Sequence, residues 1–253
     1  MPVLELGLVQ GEKIISEPGR FSWMTPNIQL RTAAAMAGST HVFGAMGRAL
    51  SGGGLLMNEY QALLGDGNVA FAAKLPGSIV QIQARLGRSY MVHRNGFLCA
   101  TAGVKLSTGF QRSLGVGIFG GTGLVLQKIA GDATAWVELG GEVISYTLPS
   151  GESLVVHPGH VGMFESNVKF EVVRMPGLKN LMFGGDGLFV VRLTGPGQVW
   201  LQTLTMPNLA HALLPYIDRE VAAAASTGAA LGKSAFGTAA ELLGSLLGGS
   251  DKR

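Results

Sequence analysis

The chain has 253 residues, of which 14% are charged and 39 are glycine, and its 19 basic and 16 acidic residues give a formal net charge of +3. So apolar a composition excludes a disordered chain, and the lack of a Gly-X-Y period excludes a collagen-like one. The basic residues do not cluster as they do in nucleic-acid-binding domains, and a single cysteine, Cys99, excludes an internal disulfide framework and a cysteine-rich zinc site.

The N-terminal segment was compared with the pattern of a secretory signal peptide. Residues 1–13 lack the basic and apolar regions of a signal peptide. We therefore expect a cytoplasmic protein. The longest stretch without a charge, residues 193–217, contains three prolines and several glycines, which is not typical of a membrane span.

A repeat organises the first four-fifths of the chain. A shift of 64 residues superimposes three matching features: 120–124 on 184–188, Trp136 on Trp200, and His93 on His157. A shift of 140 superimposes two more: Gly11-Glu12 on Gly151-Glu152, and Pro18-Gly19 on Pro158-Gly159. Repeats of this length are typical of supersecondary units that bury their apolar faces against one another. We predict units at about 1–76, 77–140 and 141–204, the first lengthened by an insert near 31–51.

Each unit shows the pattern of β-strands. Apolar residues recur two positions apart, as in Phe97 and Cys99, which places them on one face of a strand. Pro18-Gly19 and Pro158-Gly159 suit the centre of type II turns. We therefore predict one all-β domain over residues 1–205, in which the three units close on themselves with pseudo-threefold symmetry and leave no open sheet edge.

Residues 206–253 have a different composition. The sequence predicts a helix over about 207–225, followed by a Gly/Ala-rich tail. Gly228 and Gly232 have a small-xxx-small spacing that can pack helices in a membrane. Because Lys233 and Glu241 interrupt this segment, we expect a mobile or loosely docked tail instead.

The repeated motifs resemble those of a known family. They are Leu75-Pro-Gly77, Phe97-Leu98, Gly120-Gly-Thr-Gly123-Leu124 with Gly131, and Gly195-Pro-Gly197 followed by Val199-Trp-Leu-Gln202. In their order and spacing they resemble the altered-inheritance-of-mitochondria (mitochondrial biogenesis) family, whose fold is related to that of the tryptophan RNA-binding attenuation protein (TRAP). Gly53 departs from the family pattern, because members tend to carry an acidic residue there.

The resemblance covers about residues 1–205 and implies an architecture. It implies a TRAP-like double-stranded β-helix of internal repeats that is often oligomeric. Fungal members are mitochondrial and linked to inner-membrane organisation. The resemblance implies no catalytic residues.

One candidate metal site follows from the repeat. Glu17, His93 and His157 occupy the same position in the three units. If they converged on the pseudo-threefold axis, two imidazoles and one carboxylate could hold a metal and support a cupin-like enzyme. The alternative, which we favour, is that each side chain lies beside its own turn at the periphery. We therefore predict no metal and no cofactor.

Other candidate chemistry is not supported by its context. The glycine clusters 120–123 and 184–187 lack the Lys-Ser/Thr of a phosphate-binding loop and do not open a helix. Cys99 is expected to be a buried structural thiol. His160 is expected to form only a surface pair with His157, and His41 and His211 to be structural or exposed. We predict that the protein is not an enzyme.

Two functions remain as hypotheses. The first is an oligomeric β scaffold, a trimer or a multiple of three, with a protein or membrane-surface partner bound through residues 206–253. The alternative is a module that binds RNA or a small ligand on a basic ring formed by assembly, although nucleic acid is the less favoured partner. The residues of that ring would be Lys105, Lys169, Lys128, Arg192 and Arg112.

Overall fold

The computed structural model describes residues 1–35, 55–112, 124–174 and 189–205, and the helical residues 208–210, 212–213 and 215–216. The chain divides into two compact parts, Met1–Pro207 and Asn208–Arg253. The insert near 31–51, the glycine clusters and most of the C-terminal segment lie largely or wholly outside the described residues.

The described residues of the first part form an all-β fold, as predicted, and we group their strands into three sets. The first set contains β1 (Val3–Leu8), β2 (Lys13–Ser16), β3 (Phe21–Met24), β4 (Ile28–Ala35), β5 (Leu55–Ala62) and β6 (Gly67–Ala72). The second contains β7 (Gly77–Ala84), β8 (Tyr90–His93), β9 (Phe97–Thr101), β10 (Val104–Arg112), β11 (Leu124–Gly131) and β12 (Ala133–Gly140). The third contains β13 (Val143–Leu148), β14 (Ser153–Val156), β15 (Val161–Glu165), β16 (Lys169–Arg174), β17 (Phe189–Thr194) and β18 (Gly197–Gln202).

The described strands form four antiparallel sheets. Two have six strands, in the orders β4-β5-β2-β9-β12-β7 and β10-β11-β8-β15-β18-β13, and two have three, in the orders β1-β6-β3 and β14-β17-β16. Strand β2 pairs with β9 of the next set, and β8 pairs with β15. We call these pairings the first and second junctions. Each six-stranded sheet therefore joins three strands of one set to three strands of the next.

Pairing within the three sets follows one scheme. In the first set, β6 lies between β1 and β3, and β5 lies between β4 and β2. The corresponding strands of the second and third sets pair in the same way. A register shift interrupts the third strand of each set after its first residue, at Phe21, Phe97 and Val161.

Among the residues that the structure describes, buried apolar side chains form three clusters. The central cluster draws on all three sets, through residues such as Met57, Phe97 and Met163. The second cluster joins the third set to Leu126 of β11, and the last joins the first set to Cys99 of β9. Packing therefore crosses both junctions, as the hydrogen-bonded pairings do.

One turn differs from its prediction. Pro158–His160 forms a single turn of 3₁₀-helix, η1, instead of a type II turn. A type II turn needs a positive φ at its second central residue, and Gly159 does not have one, whereas Gly19 has a φ of 79°. The side chain of His157 caps this short helix by accepting a hydrogen bond from the Gly159 N–H.

Candidate functional site

Glu17, the first of the three candidate metal ligands, contacts neighbouring side chains. It follows β2, and its Oε1 accepts a hydrogen bond from Nε2 of Gln127 at 3.0 Å. Its Oε2 lies 4.0 Å from Nη2 of Arg20. The carboxylate is thus held at the first junction by an amide and a guanidinium.

The two histidines of that set also have local partners. His93 ends β8, and its Nε2 lies 3.2 Å from the carbonyl oxygen of Glu138. Burial lowers the pKa of His93 below its usual range, so the imidazole is neutral near pH 7. His157 is more exposed than His93, but part of its ring is covered. This partial burial and the nearby His160 lower the pKa of His157.

The structure does not assemble these residues into a metal site. Within the described ranges, no group of three or more His, Cys, Asp or Glu side chains is placed to hold a metal ion. His160 lies beside His157, with 5.7 Å between the ring centroids, and its Nδ1 is 2.8 Å from the carbonyl oxygen of Gln202. His41 and His211 lie outside the described residues.

Two of the predicted RNA-binding lysines share a face of the second set. Lys128 of β11 lies opposite Ser107 of β10, and Lys105 is two residues from Ser107 on the same strand. Residues two apart on a strand point to the same face, so the two lysines are diagonal neighbours. The side chain of Arg112 lies outside the described part of the structure.

Carboxylates lie on the equivalent faces of the other two sets. In the third set, Glu171 lies opposite Arg192, and its Oε1 is 2.9 Å from Nζ of Lys169. These cations lower the pKa of Glu171, chiefly through the hydrogen bond from Lys169. In the first set, the position equivalent to Lys128 is Glu59, because Glu59 pairs with Ile15 as Lys128 pairs with Met91.

Cys99 has the environment of a structural thiol. It lies in β9, is fully buried and belongs to the apolar cluster of the first set. Burial raises the pKa of its thiol far above its usual range. The thiolate that a nucleophile needs is therefore strongly disfavoured.

A buried polar contact that we call the clasp holds the first junction together. Arg20, in the turn before β3, donates from Nη1 to Oε1 of Glu138 at 2.6 Å and from Nη2 to the carbonyl oxygen of Asn95 at 2.5 Å. The other carboxylate oxygen of Glu138 accepts from the backbone N–H of Lys74 at 2.9 Å. Arg20 and Glu138 are only 3% and 7% exposed, so their opposite charges compensate each other out of water.

The second junction has a neutral form of the same clasp. Gln202 lies 64 residues after Glu138, and its Oε1 accepts from the backbone N–H of Gly140 at 3.0 Å. Its Nε2 donates to the carbonyl oxygen of Gly159 at 3.0 Å. The amide of Gln202 thus makes directly the contact that Glu138 makes through Arg20. Neither clasp was predicted from the sequence, although the 64-residue shift places Glu138 on Gln202.

Each three-stranded sheet has two edge strands, and one of the two, β3 in the first set and β14 in the third, is the counterpart of the strands that form the junctions. Strands β3 and β14 each pair with a single described strand, β6 and β17 respectively. On β3, Phe21 is 39% and Trp23 is 49% exposed, and on β14 Val155 is 54% exposed. We call these the free edges. They are the counterparts of the strands that form the two junctions. They expose apolar side chains and one row of backbone groups that no described strand pairs.

Comparison with known proteins identifies relatives of the whole first part. The family model described as Mitochondrial biogenesis AIM24 matches residues 1–204, which confirms the resemblance predicted from the sequence. An uncharacterized protein of Streptococcus pyogenes serotype M6 is 25% identical over 220 residues, which cover 85% of this chain and 87% of that protein.

A solved structure shows the same fold. The crystal structure of a Streptococcus pyogenes protein is 23% identical and matches with a TM-score of 0.66, over 85% of this chain and 94% of that one. Within the described residues, no helix is both long enough and apolar enough to cross a membrane.

Proposed function

We propose that this chain, which belongs to the mitochondrial biogenesis AIM24 family, is a non-enzymatic β scaffold that assembles with copies of itself. The observation that carries the proposal is the pair of free edges. Phe21 and Trp23 are half-exposed, whereas their counterparts Phe97 and Met163 in the other sets are fully buried. A sheet edge that exposes aromatic side chains is a template for pairing with another chain.

The proposal includes the TRAP-like architecture of three repeats. The identical pairing scheme of the three sets supports it, as does the register shift repeated at Phe21, Phe97 and Val161. The central apolar cluster, which draws on every set, supports packing of the three repeats around a common core. A stoichiometry of three, or a multiple of three, remains our prediction for the assembly.

The environment of the candidate catalytic groups supports a scaffold and not an enzyme. The Cys99 thiol is buried with a raised pKa, His93 is engaged by a backbone carbonyl, and Glu17 is held by Gln127. Each side chain has a structural partner or environment, so its contribution is to the fold. We propose no cofactor and no metal.

The mass of the protein in solution tests the proposal. Light scattering coupled to gel filtration should give a multiple of the 26.3 kDa chain mass, with three chains as the expected number. A mass of one chain across a wide range of protein concentration would contradict self-assembly. Cell fractionation tests the predicted cytoplasmic location.

A second function, the binding of RNA, rests on Lys105 and Lys128. Their diagonal arrangement on one face supports it, and the carboxylates of Glu59 and Glu171 on the equivalent faces weaken it. Contacts to phosphates weaken steeply with salt. Titration with single-stranded RNA at low and moderate salt should therefore show salt-sensitive binding if this function is correct and no binding if the scaffold is the whole function.

The C-terminal segment is the proposed site for a further partner. Residues 206–253 would contact a protein or a membrane surface. Flotation of the full chain and of a chain truncated after residue 205 with anionic vesicles tests the membrane partner. Equal flotation of the two chains would contradict a role for the segment.

A further inference from the structure

We propose that β14 of one copy pairs antiparallel with β3 of a second copy, in the register Val156 opposite Trp23 and Val155 opposite Met24. This inference rests on the proposed self-assembly and names the contact that produces it. The first and second junctions lie within one chain. The proposed pairing would form an equivalent third junction between two copies.

The register follows from the two junctions. At the first junction, Ile15 of β2 lies opposite Ala100 of β9. At the second, Met91 of β8 lies opposite Phe164 of β15. In the third set, the residue equivalent to Ile15 and Met91 is Val155 of β14. It pairs with Arg192 of β17 as Met91 pairs with Lys128 of β11.

The position on the third strand is fixed in the same way. Met24 follows the register shift of β3 and lies opposite Val69. Phe164 holds that place in β15, where it lies opposite Val199. If β14 and β3 pair in the register of the two junctions, Val155 therefore lies opposite Met24. The neighbouring pair is Val156 opposite Trp23.

The exposed side chains of the free edges match this pairing. The junction positions equivalent to Trp23 are Cys99 and Met163, and both are fully buried. Trp23 is 49% exposed, and Val155, beside its proposed partner position, is 54% exposed. Pairing of the free edges would cover these side chains and satisfy the backbone groups that no described strand now pairs.

A second copy fits the free edges better than closure within the chain. The two junctions and the central cluster already hold the three sets together, and among the described strands β3 and β14 are not paired with each other. Pairing of these edges with a second copy would leave those contacts unchanged. Each chain carries both halves of the pair, so the contact is head-to-tail and can close into a ring.

The contact between copies would differ from the junctions in one respect. In the first set, the residue equivalent to Glu138 and Gln202 is Ala72. It pairs with the first residue of β1, as Gln202 pairs with the first residue of β13. Ala72 has no polar side chain to form a clasp. Assembly through the free edges would therefore lack this buried polar contact.

Disulfide trapping between two variants tests the contact. Met24→Cys is introduced into one copy and Val155→Cys into a second copy that carries a large tag, and the two are mixed and oxidised. We expect a band with the summed mass of the two chains, which is lost on reduction. Opposite residues in an antiparallel pair lie within disulfide range.

Matched controls fix the register. Ser153→Cys replaces Val155→Cys in a parallel mixture, since Ser153 is exposed and lies on the same face, two residues away. A diagonal neighbour is about 7–8 Å away, beyond the reach of a disulfide, so this mixture should give little cross-linked product. The unmodified chain, with Cys99 buried, should give none.

Every outcome is informative. A cross-link inside one chain of the double variant Met24→Cys, Val155→Cys, without product in the mixture, would overturn the inference in favour of closure within the chain. Absence of product from a protein that light scattering shows to be oligomeric would overturn the inference and leave the proposed function standing. A protein that is monomeric at all concentrations would overturn both.

Discussion

The clasp at the first junction gives a prediction with a definite magnitude. Arg20→Met removes the guanidinium that lies 2.6 Å from Glu138 and leaves a buried carboxylate without its counter-charge. Breaking a buried ion pair in this way costs about 3–5 kcal/mol. At about 2–4 °C per kcal/mol for a chain of this size, the melting temperature should fall by about 6–20 °C. Thermal unfolding followed by circular dichroism measures the shift.

Two further variants separate the clasp from a general effect of mutation. Adding Glu138→Gln to Arg20→Met creates the side chain that Gln202 provides at the second junction, and should restore most of the lost stability. Lys13→Met breaks the ion pair with Glu59, which is 2.9 Å long but partly exposed, and should cost about 0–1 kcal/mol. If Arg20→Met costs no more than Lys13→Met, our account of the first junction is wrong.

Three other predictions concern single residues. Burial lowers the pKa of His93, so below about pH 6.5 the unfolded state binds a proton that the folded state does not bind. As the pH decreases below this value, the free energy of unfolding should decrease by up to about 1.4 kcal/mol per pH unit. Urea denaturation at about pH 7.5 and about pH 5.5 should show a smaller fall for His93→Gln. Because burial raises the pKa of Cys99, it should react with a thiol reagent in urea but not in buffer, and fast reaction in buffer would refute its burial. Gly131→Ala, which sets a Cβ 2.2 Å from a backbone oxygen, should lose much more stability in urea than Gly151→Ala, whose Cβ meets nothing within 4 Å and which should lose about 1–2 kcal/mol; equal losses would contradict this.

The strands could be predicted from the sequence because their signals are local. Alternating apolar residues such as Phe97 and Cys99 place one face of a strand in the core, and both are buried in β9. The pairing of β11 with β8 has the same register as the pairing of β17 with β14, at positions 64 residues apart. Gly159 was misassigned to a type II turn, because the sequence does not show which sign of φ a glycine adopts.

The candidate site could be predicted only in part, because its contacts are long-range. Nothing near Arg20 in the sequence shows that its partner is Glu138, 118 residues away. The repeat predicts equivalent positions for Glu17 and His93, whereas each contacts a side chain or a carbonyl from another strand rather than its predicted counterparts. Closure of the three units was expected from the repeat, whereas the described strands leave β3 and β14 unpaired with each other.

The central claim is that the free edges join copies of this chain, and one mass measurement tests it most directly. Trp23→Lys places a charge on the edge of β3, which disfavours strand pairing. Leu64→Lys makes the same change at a residue that is 83% exposed and lies in the turn between β5 and β6. By light scattering, Leu64→Lys should keep the mass of the unmodified assembly, whereas Trp23→Lys should shift to the 26.3 kDa of one chain. If Trp23→Lys keeps the assembled mass, the free edges do not hold the copies together.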